Sequence, residues 1–322
     1  MQNLDAQAVA ESLPYPQLLQ ALAEGLKLDI TTPPRSIYHP NHDASCFMVM
    51  PAWRAGKVIG VKLVSVWPDN PMHGLAAVSG VYVLLDAQNG HPVAVIDGTE
   101  LTLRRTAAAA ALAAKLLARA DSSHLLVVGT GALSLPLALA HHSALRIERV
   151  TVYGRRKEAA QRMAERMQAQ GLRAAAASDL EQALALADVV AVATTASQAF
   201  IRAEAVSKGT HLGLVGAFTP QMAEAEPALM ARARVFADQR QAVLDKGGEV
   251  YQAIEQGFMT ADDLVADLQG MLLAADHNWR RSDGDITVYK SVGFAALDLI
   301  AAELVMGQAR FQGYYTGNLD LA

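Results

Sequence analysis

The sequence predicts an α/β fold, and three observations carry that prediction. From Leu125 onward, short apolar runs alternate with helical segments: LLVVG, LSLPLALAHHSA, RVTVYG, KEAAQRMAERMQAQ, DVVAVATT, HLGLVG and RVFAD. That rhythm is a Rossmann progression, strands laid parallel with helices between them. The first strand of the series runs into a glycine turn, G-T-G-A-L-S, and then a helix. Upstream, residues 58–66 (VIGVKLVSV) and 80–97 (GVYVLLDAQNGHPVAVID) read instead as β-structure, the second as a hairpin turning at Asn89 and Gly90. A separate antiparallel substrate domain is expected there.

The glycine turn fits a dinucleotide. Gly129 permits the sharp exit from the strand, Gly131 lets backbone approach a pyrophosphate, and the following helix offers unpaired N–H groups to the phosphates. The third position of G-x-G-x-x-G is Ser134, a small residue that can still pack against a strand. Pro136 falls in the first turn of its helix, where a missing N–H has no intrahelical partner to lose. The second strand ends in Tyr153, Gly154, Arg155 and Arg156, with no acid to accept from a free ribose 2′-OH. A guanidinium pair suits a 2′-phosphate, so NADP(H) is the preferred cofactor, with NAD(H) the alternative. The bland reading of Arg155 and Arg156 is a pair of solvated loop cations beside Lys157 and Glu158.

At 322 residues and 52% apolar composition, the chain can fill two cores. A net charge of −5 gives no general attraction for nucleic acid or an anionic membrane, so neither is expected as a partner. One cysteine, Cys46, reads as a core position in CFMVMPAW and cannot form an internal disulfide, which fits a reducing cytoplasm. The N-terminus shows no export signal and reads as an amphipathic helix after Pro14 or Pro16. The alanine-rich stretch 107–117 is too short and too weakly hydrophobic to span a bilayer. His141 and His142 point different ways on a helix and the other histidines are scattered, so no metal is expected. After Arg280 come a loop, a short strand and a long apolar helix returning to the first domain, then a soft aromatic tail, FQGYYTGNLDLA.

Four blocks in order resemble the ornithine cyclodeaminase and mu-crystallin family: KVIGVKLVSVWPDNPMHGLAAVSGVYVLLD, DGTELTLRRTAAAAALAAKLLAR, VVGTGALS and VYKSVGFAALDLIAAELV. The resemblance implies a Rossmann NADP-binding domain (119–292) inserted in a discontinuous α+β substrate domain (1–118 and 293–322). It also implies a homodimer formed through the latter, an active site in the cleft between domains, and a small α-amino or α-imino acid as substrate. Carried over by position, it makes Arg35 and Arg105 the carboxylate-binding arginines and Lys62 the active-site lysine. Two guanidiniums and an ammonium converging on one place suit a compact anion. Each also has a plain reading: Arg35 as a loop cation, Arg105 as a helix-surface partner of Glu100 or Asp97, and Lys62 as the solvent face of its strand.

One departure alters the expected chemistry. Cyclodeaminases of the family carry a G-x-D-x-P-G-K-x-E segment with a catalytic aspartate, and here that place is Phe218, in Gly216 to Glu224. Phenylalanine cannot manage the protons of a deamination, whereas reduction of a preformed cyclic imine needs only hydride at carbon and a proton at nitrogen. The resemblance therefore points to the ketimine reductase branch. It implies NADPH-dependent reduction of Δ1-pyrroline-2-carboxylate, Δ1-piperideine-2-carboxylate or both, giving L-proline or L-pipecolate. Lys62 is expected to act as proton relay or electrostatic guide, and Thr219 to hold a water where the acid is missing. Gly129, Thr130, Gly131, Ala132 and Leu133 are expected to cradle pyrophosphate, with Thr106 donating to it. Thr194, Gly216, Val292 and Gly293 are expected at the nicotinamide end. Amino-acid dehydrogenase chemistry, ornithine cyclodeamination, and a non-catalytic NADPH- and small-ligand-binding role of mu-crystallin type are the alternatives.

Overall fold

Alternation of buried and part-exposed positions, strict over residues 58–65, shapes the first sheet. The computed structural model describes residues 1–41 and 45–311. It starts with β1 (Gln2–Leu4), α1 (Ala6–Ser12) and α2 (Tyr15–Gly25). The Asp5 carboxylate caps α1, accepting from the Ala8 N–H at 2.9 Å, while Pro16 lies in the first turn of α2. Then follow β2 (Ser36–Tyr38), β3 (Cys46–Arg54), β4 (Val58–Val66), β5 (Val78–Asp86) and β6 (Pro92–Asp97). The sheet order is β1-β6-β5-β4-β3-β2, antiparallel from β6 to β2, with β1 added in parallel. The hairpin turns where expected, with Gly90 at φ 75°.

On β4, Val58, Gly60, Lys62 and Val64 are buried, while Ile59, Val61 and Leu63 are part-exposed. Lys62 therefore lies on the core face, against the plain reading that would have put it in solvent. Cys46, expected in the core, is only half-buried, because it opens β3 at the sheet's margin rather than at its centre.

Helix α3 (Gly98–Leu117) follows directly, and its run Ala107–Ala111 is buried throughout. The chain divides into one unit of Met1–Arg105 with the segment from Phe294 onward, and a second of Thr106–Gly293. The division falls inside the continuous helix α3, whose alanine half groups with the second unit.

The second unit contains β7 (His124–Val128), α4 (Ser134–Ala144), β8 (Arg149–Tyr153), α5 (Lys157–Gln168), β9 (Ala174–Ala176), α6 (Leu180–Leu186) and β10 (Val189–Val192). It continues with β11 (His211–Leu214), β12 (Ala233–Ala237), α7 (Arg240–Lys246), α8 (Glu249–Glu255), β13 (Leu264–Asp267), α9 (Leu268–Leu273) and β14 (Ile286–Lys290). Its eight strands run parallel in the order β13-β12-β14-β11-β10-β7-β8-β9. Strand succession reverses between β7 and β10, where β7 to β9 add on one side and β10 onward on the other, the switch point at which such sheets open a crevice for ligands. Helix α10 (Ala295–Phe311) returns to the first unit and packs on α2, β3 and β4. The aromatic tail beyond Phe311 lies outside the described residues. Among those described, no helix is long and apolar enough to cross a membrane.

Candidate active site

The turn after β7 has room for glycine alone at its first position. Gly129 sits at φ 128°, and a Cβ there would stand 2.4 Å from the Ala193 carbonyl oxygen. Its N–H donates to the Tyr153 carbonyl at 2.9 Å, fixing the turn against the end of β8. No atom lies within 4 Å of where a Cβ on Gly131 would stand, so backbone is open to a ligand there. Ser134 is fully buried at the start of α4, the packing role anticipated for a small third residue. No side chain caps that helix, leaving its first N–H groups to other acceptors.

Gly129, Thr130, Gly131, Tyr153, Arg155, Arg156 and Thr194 line one cavity of ≈ 990 Å³. Ala132 and Leu133 lie outside its lining and carry the turn into α4. Both arginines are exposed, and neither guanidinium pairs with Glu158 or any other described residue. The cavity, the glycine whose Cβ position is open and the uncapped helix together fit a dinucleotide.

Two buried carboxylates tie together the strand ends beside it. Glu224 Oε1 accepts from the Thr194 N–H at 2.6 Å and the Thr194 hydroxyl at 2.8 Å, while Oε2 accepts from the Gly216 N–H at 2.8 Å. Gly216 is required, since a Cβ would come within 2.2 Å of both Glu224 Oε1 and the Thr194 carbonyl oxygen. Asp238, just past β12, accepts from the Ser291 hydroxyl at 2.8 Å and the N–H groups of Val292 at 3.0 Å and Gly293 at 2.6 Å. The residues expected at the nicotinamide end are thus anchored by two acids to which the sequence reading gave no role. Thr106 is nearly buried in α3, whereas Phe218 is exposed and Thr219 half-buried in the loop after β11.

The cationic cluster belongs to the first unit. Lys62 Nζ lies 2.9 Å from Asp298 Oδ1 and 2.8 Å from Oδ2, and donates weakly to the Thr102 hydroxyl at 3.4 Å. Arg105 Nε donates to Asp298 Oδ1 at 2.8 Å. Lys62, Arg105 and Asp298 are all buried, on β4, α3 and α10 respectively. Burial pulls the Lys62 ammonium down to about 8, with Arg105 and, less strongly, Arg35 adding to the drop while Asp298 opposes it. Burial also pushes the Asp298 carboxyl up, but the two cations overcome this and hold it below the usual carboxylate value.

Arg105 therefore does not pair with Glu100. Its neighbour Arg104 does, at 2.6 Å. Arg35 is half-buried and near enough to bear on Lys62 electrostatically. Lys62 and Arg105 against the one Asp298 carboxylate leave an excess of positive charge, a ready receptor for a small anion. Asp298 occupies only Nε of Arg105, and both of its Nη groups remain without a partner among the described residues. Sequence reasoning missed Asp298 because an acid in a helix's first turn ordinarily faces solvent and complements the dipole. The signal was its isolation in FAALDLIAAELV, with four apolar residues on either side.

Comparison with known proteins agrees with this architecture. The chain is 40% identical over 255 residues to a Delta(1)-pyrroline-2-carboxylate reductase of Paracoccus denitrificans, covering 79% of this chain and 80% of that one. Its structure is similar to the Delta(1)-pyrroline-2-carboxylate reductase of Thermococcus litoralis in complex with NADH and L-proline, with a TM-score of 0.92, 26% identity and coverage of 99% and 100% of the two chains. An archaeal alanine dehydrogenase dimer with bound NAD is similar at a TM-score of 0.90 and 27% identity, over 98% of each chain. The model of the ornithine cyclodeaminase/mu-crystallin family matches residues 4–312, and the chain belongs to that family.

Proposed function

We propose that the protein is an NAD(P)H-dependent reductase of cyclic ketimines, converting Δ1-pyrroline-2-carboxylate, Δ1-piperideine-2-carboxylate or both to L-proline and L-pipecolate. The observation that carries this reading is the buried Lys62–Asp298–Arg105 constellation with Arg35 beside it. Its net charge suits one carboxylate, and its lysine is tuned near neutrality. Arg35 and the free Nη groups of Arg105 bind the substrate carboxylate and fix the ring. Lys62 holds a proton at Nζ for the imine nitrogen. A bound reduced nicotinamide supplies hydride to the C=N carbon. Thr219 holds a water beside Phe218, whose ring offers no acid or base for deamination.

The test is consumption of reduced cofactor by purified protein given the five- or six-membered cyclic imine. Absence of oxidation with both rings would reject the assignment. The similarity to an alanine dehydrogenase supports a second reading, reductive amination of a 2-oxo acid, which strict dependence on ammonia would reveal.

The proposal includes preference for NADP(H), supported by the two unpaired guanidiniums on the cavity rim. Replacing Arg155 and Arg156 together with Ala is expected to raise the Kd for NADPH by roughly 10- to 100-fold, the worth of one or two charged hydrogen bonds. The Kd for NADH should stay within about twofold by the same argument. Equal weakening of both cofactors in fluorescence titrations would remove the 2′-phosphate role. A homodimer and a reducing cytoplasmic setting complete the reading. The dimer is supported by the apolar outward positions Ile59, Val61, Leu63 and Val81 of the first sheet and by the dimeric alanine dehydrogenase.

A further inference from the structure

The second unit buries two acids and a lysine in one connected array. Glu224, Glu249 and Lys290 are all fully buried. Lys290, ending β14, lies 2.7 Å from Glu249 Oε2. Glu249 Oε1 accepts from the Glu224 backbone N–H. The Glu224 carboxylate then takes the three donors from Thr194 and Gly216. Burying such an array is costly unless every charge is compensated, and here two acids face one base. Burial pushes the Glu224 carboxyl up, and Glu249 adds to this while Lys290 and the Thr194 donors oppose it. The geometry favours the ionised form, because both oxygens accept from backbone N–H groups and an acid proton would have to displace one of them.

The Thr194 peptide that receives this carboxylate is itself part of the wall of the dinucleotide cavity. We propose that the Glu224–Glu249–Lys290 array presses a net negative charge against the nicotinamide end of that cavity and tilts binding toward the oxidised cofactor. The physical basis is simple. Hydride departure turns a neutral dihydropyridine into a pyridinium cation, and a fixed buried anion stabilises the cation but not the neutral ring. The array thereby promotes hydride donation without touching the substrate, and Glu224 is a positioning residue acting through Thr194 and Gly216. Asp238, at the neighbouring strand end, accepts from four donors, which oppose the upward push of burial on its carboxyl and favour the same sign there. The inference rests on the nicotinamide lying beside Thr194, as the proposed function requires.

The measurement is the ratio of dissociation constants for oxidised and reduced cofactor, obtained with full-length protein by fluorescence titration of the reduced form and competition by the oxidised one. Glu224→Gln should raise that ratio about tenfold by weakening the oxidised form selectively. Lys290→Met, which makes the array more negative, should shift it the opposite way. Glu224→Asp, which keeps the charge, should restore much of the wild-type ratio. A purely structural staple would weaken both forms together and leave the ratio unchanged in every variant, and that result overturns the proposal. If one variant does not fold, the sign of the other's shift decides. Failure of wild-type protein to bind either cofactor would sink the functional reading instead, so the two failures are distinguishable.

Discussion

Asp298→Ala is expected to destabilise the first unit by about 3–5 kcal/mol, the penalty for leaving buried cations without their counter-charge. Lys62 and Arg105 are 2% and 4% exposed, so little water reaches them to replace the lost carboxylate. Their donors converge on that side chain, Lys62 Nζ at 2.8–2.9 Å from its oxygens and Arg105 Nε at 2.8 Å, so both lose their principal acceptor at once. In thermal unfolding this should appear as a fall of the midpoint on the order of 10 °C. The double variant Asp298→Ala/Lys62→Met should recover part of the loss, because it removes one stranded charge. An unchanged midpoint in the single variant would mean that the carboxylate does not sit between the cations. The remaining Lys62 ammonium should also become harder to keep, since its strongest supporting charge has gone.

How far the sequence was legible follows from what each element depends on. The glycine turn and the strands β7, β8, β10, β11 and β12 were readable because turn chemistry and apolar runs are local properties. The strand β9 is three alanines, with no β-branched residue to announce it, and it forms because it can pair with β8. The short strand after Arg280 was visible, but its place between β11 and β12 was not, because it is set by long-range pairing rather than by order in the chain. Lys62 was conspicuous as a charge in an apolar strand, whereas its counterion lies 236 residues away on another element. Glu224, Glu249, Lys290 and Asp238 were hidden for the same reason. Each looks like an ordinary surface charge until tertiary structure closes water out, and only then does its need for a partner become an argument about the site.

Lys62→Met should lower kcat/KM for the cyclic imine by at least about 100-fold, the lower end of what a positioned general acid contributes. Binding of the cofactor should be nearly unchanged, because the dinucleotide cavity is built from the second unit alone. Wild-type kcat/KM should be flat at lower pH and fall above about 8, as Lys62 loses the proton it must donate. The kcat limb should lie higher, since a bound substrate carboxylate favours the ammonium. Oxidation of the amino acid must run the other way, rising through the same region, because the lysine then accepts the proton. Stability separates this from alkaline unfolding. The folded-state value of about 8 lies below the ordinary 10.5, so the unfolded chain binds more protons between them and this lysine's contribution to stability rises with pH across that window. Activity in the reductive direction should therefore decline while Lys62 makes the fold more resistant to denaturant. A limb near pH 8 that survives in Lys62→Met would assign the titration to another group and remove the lysine from proton transfer.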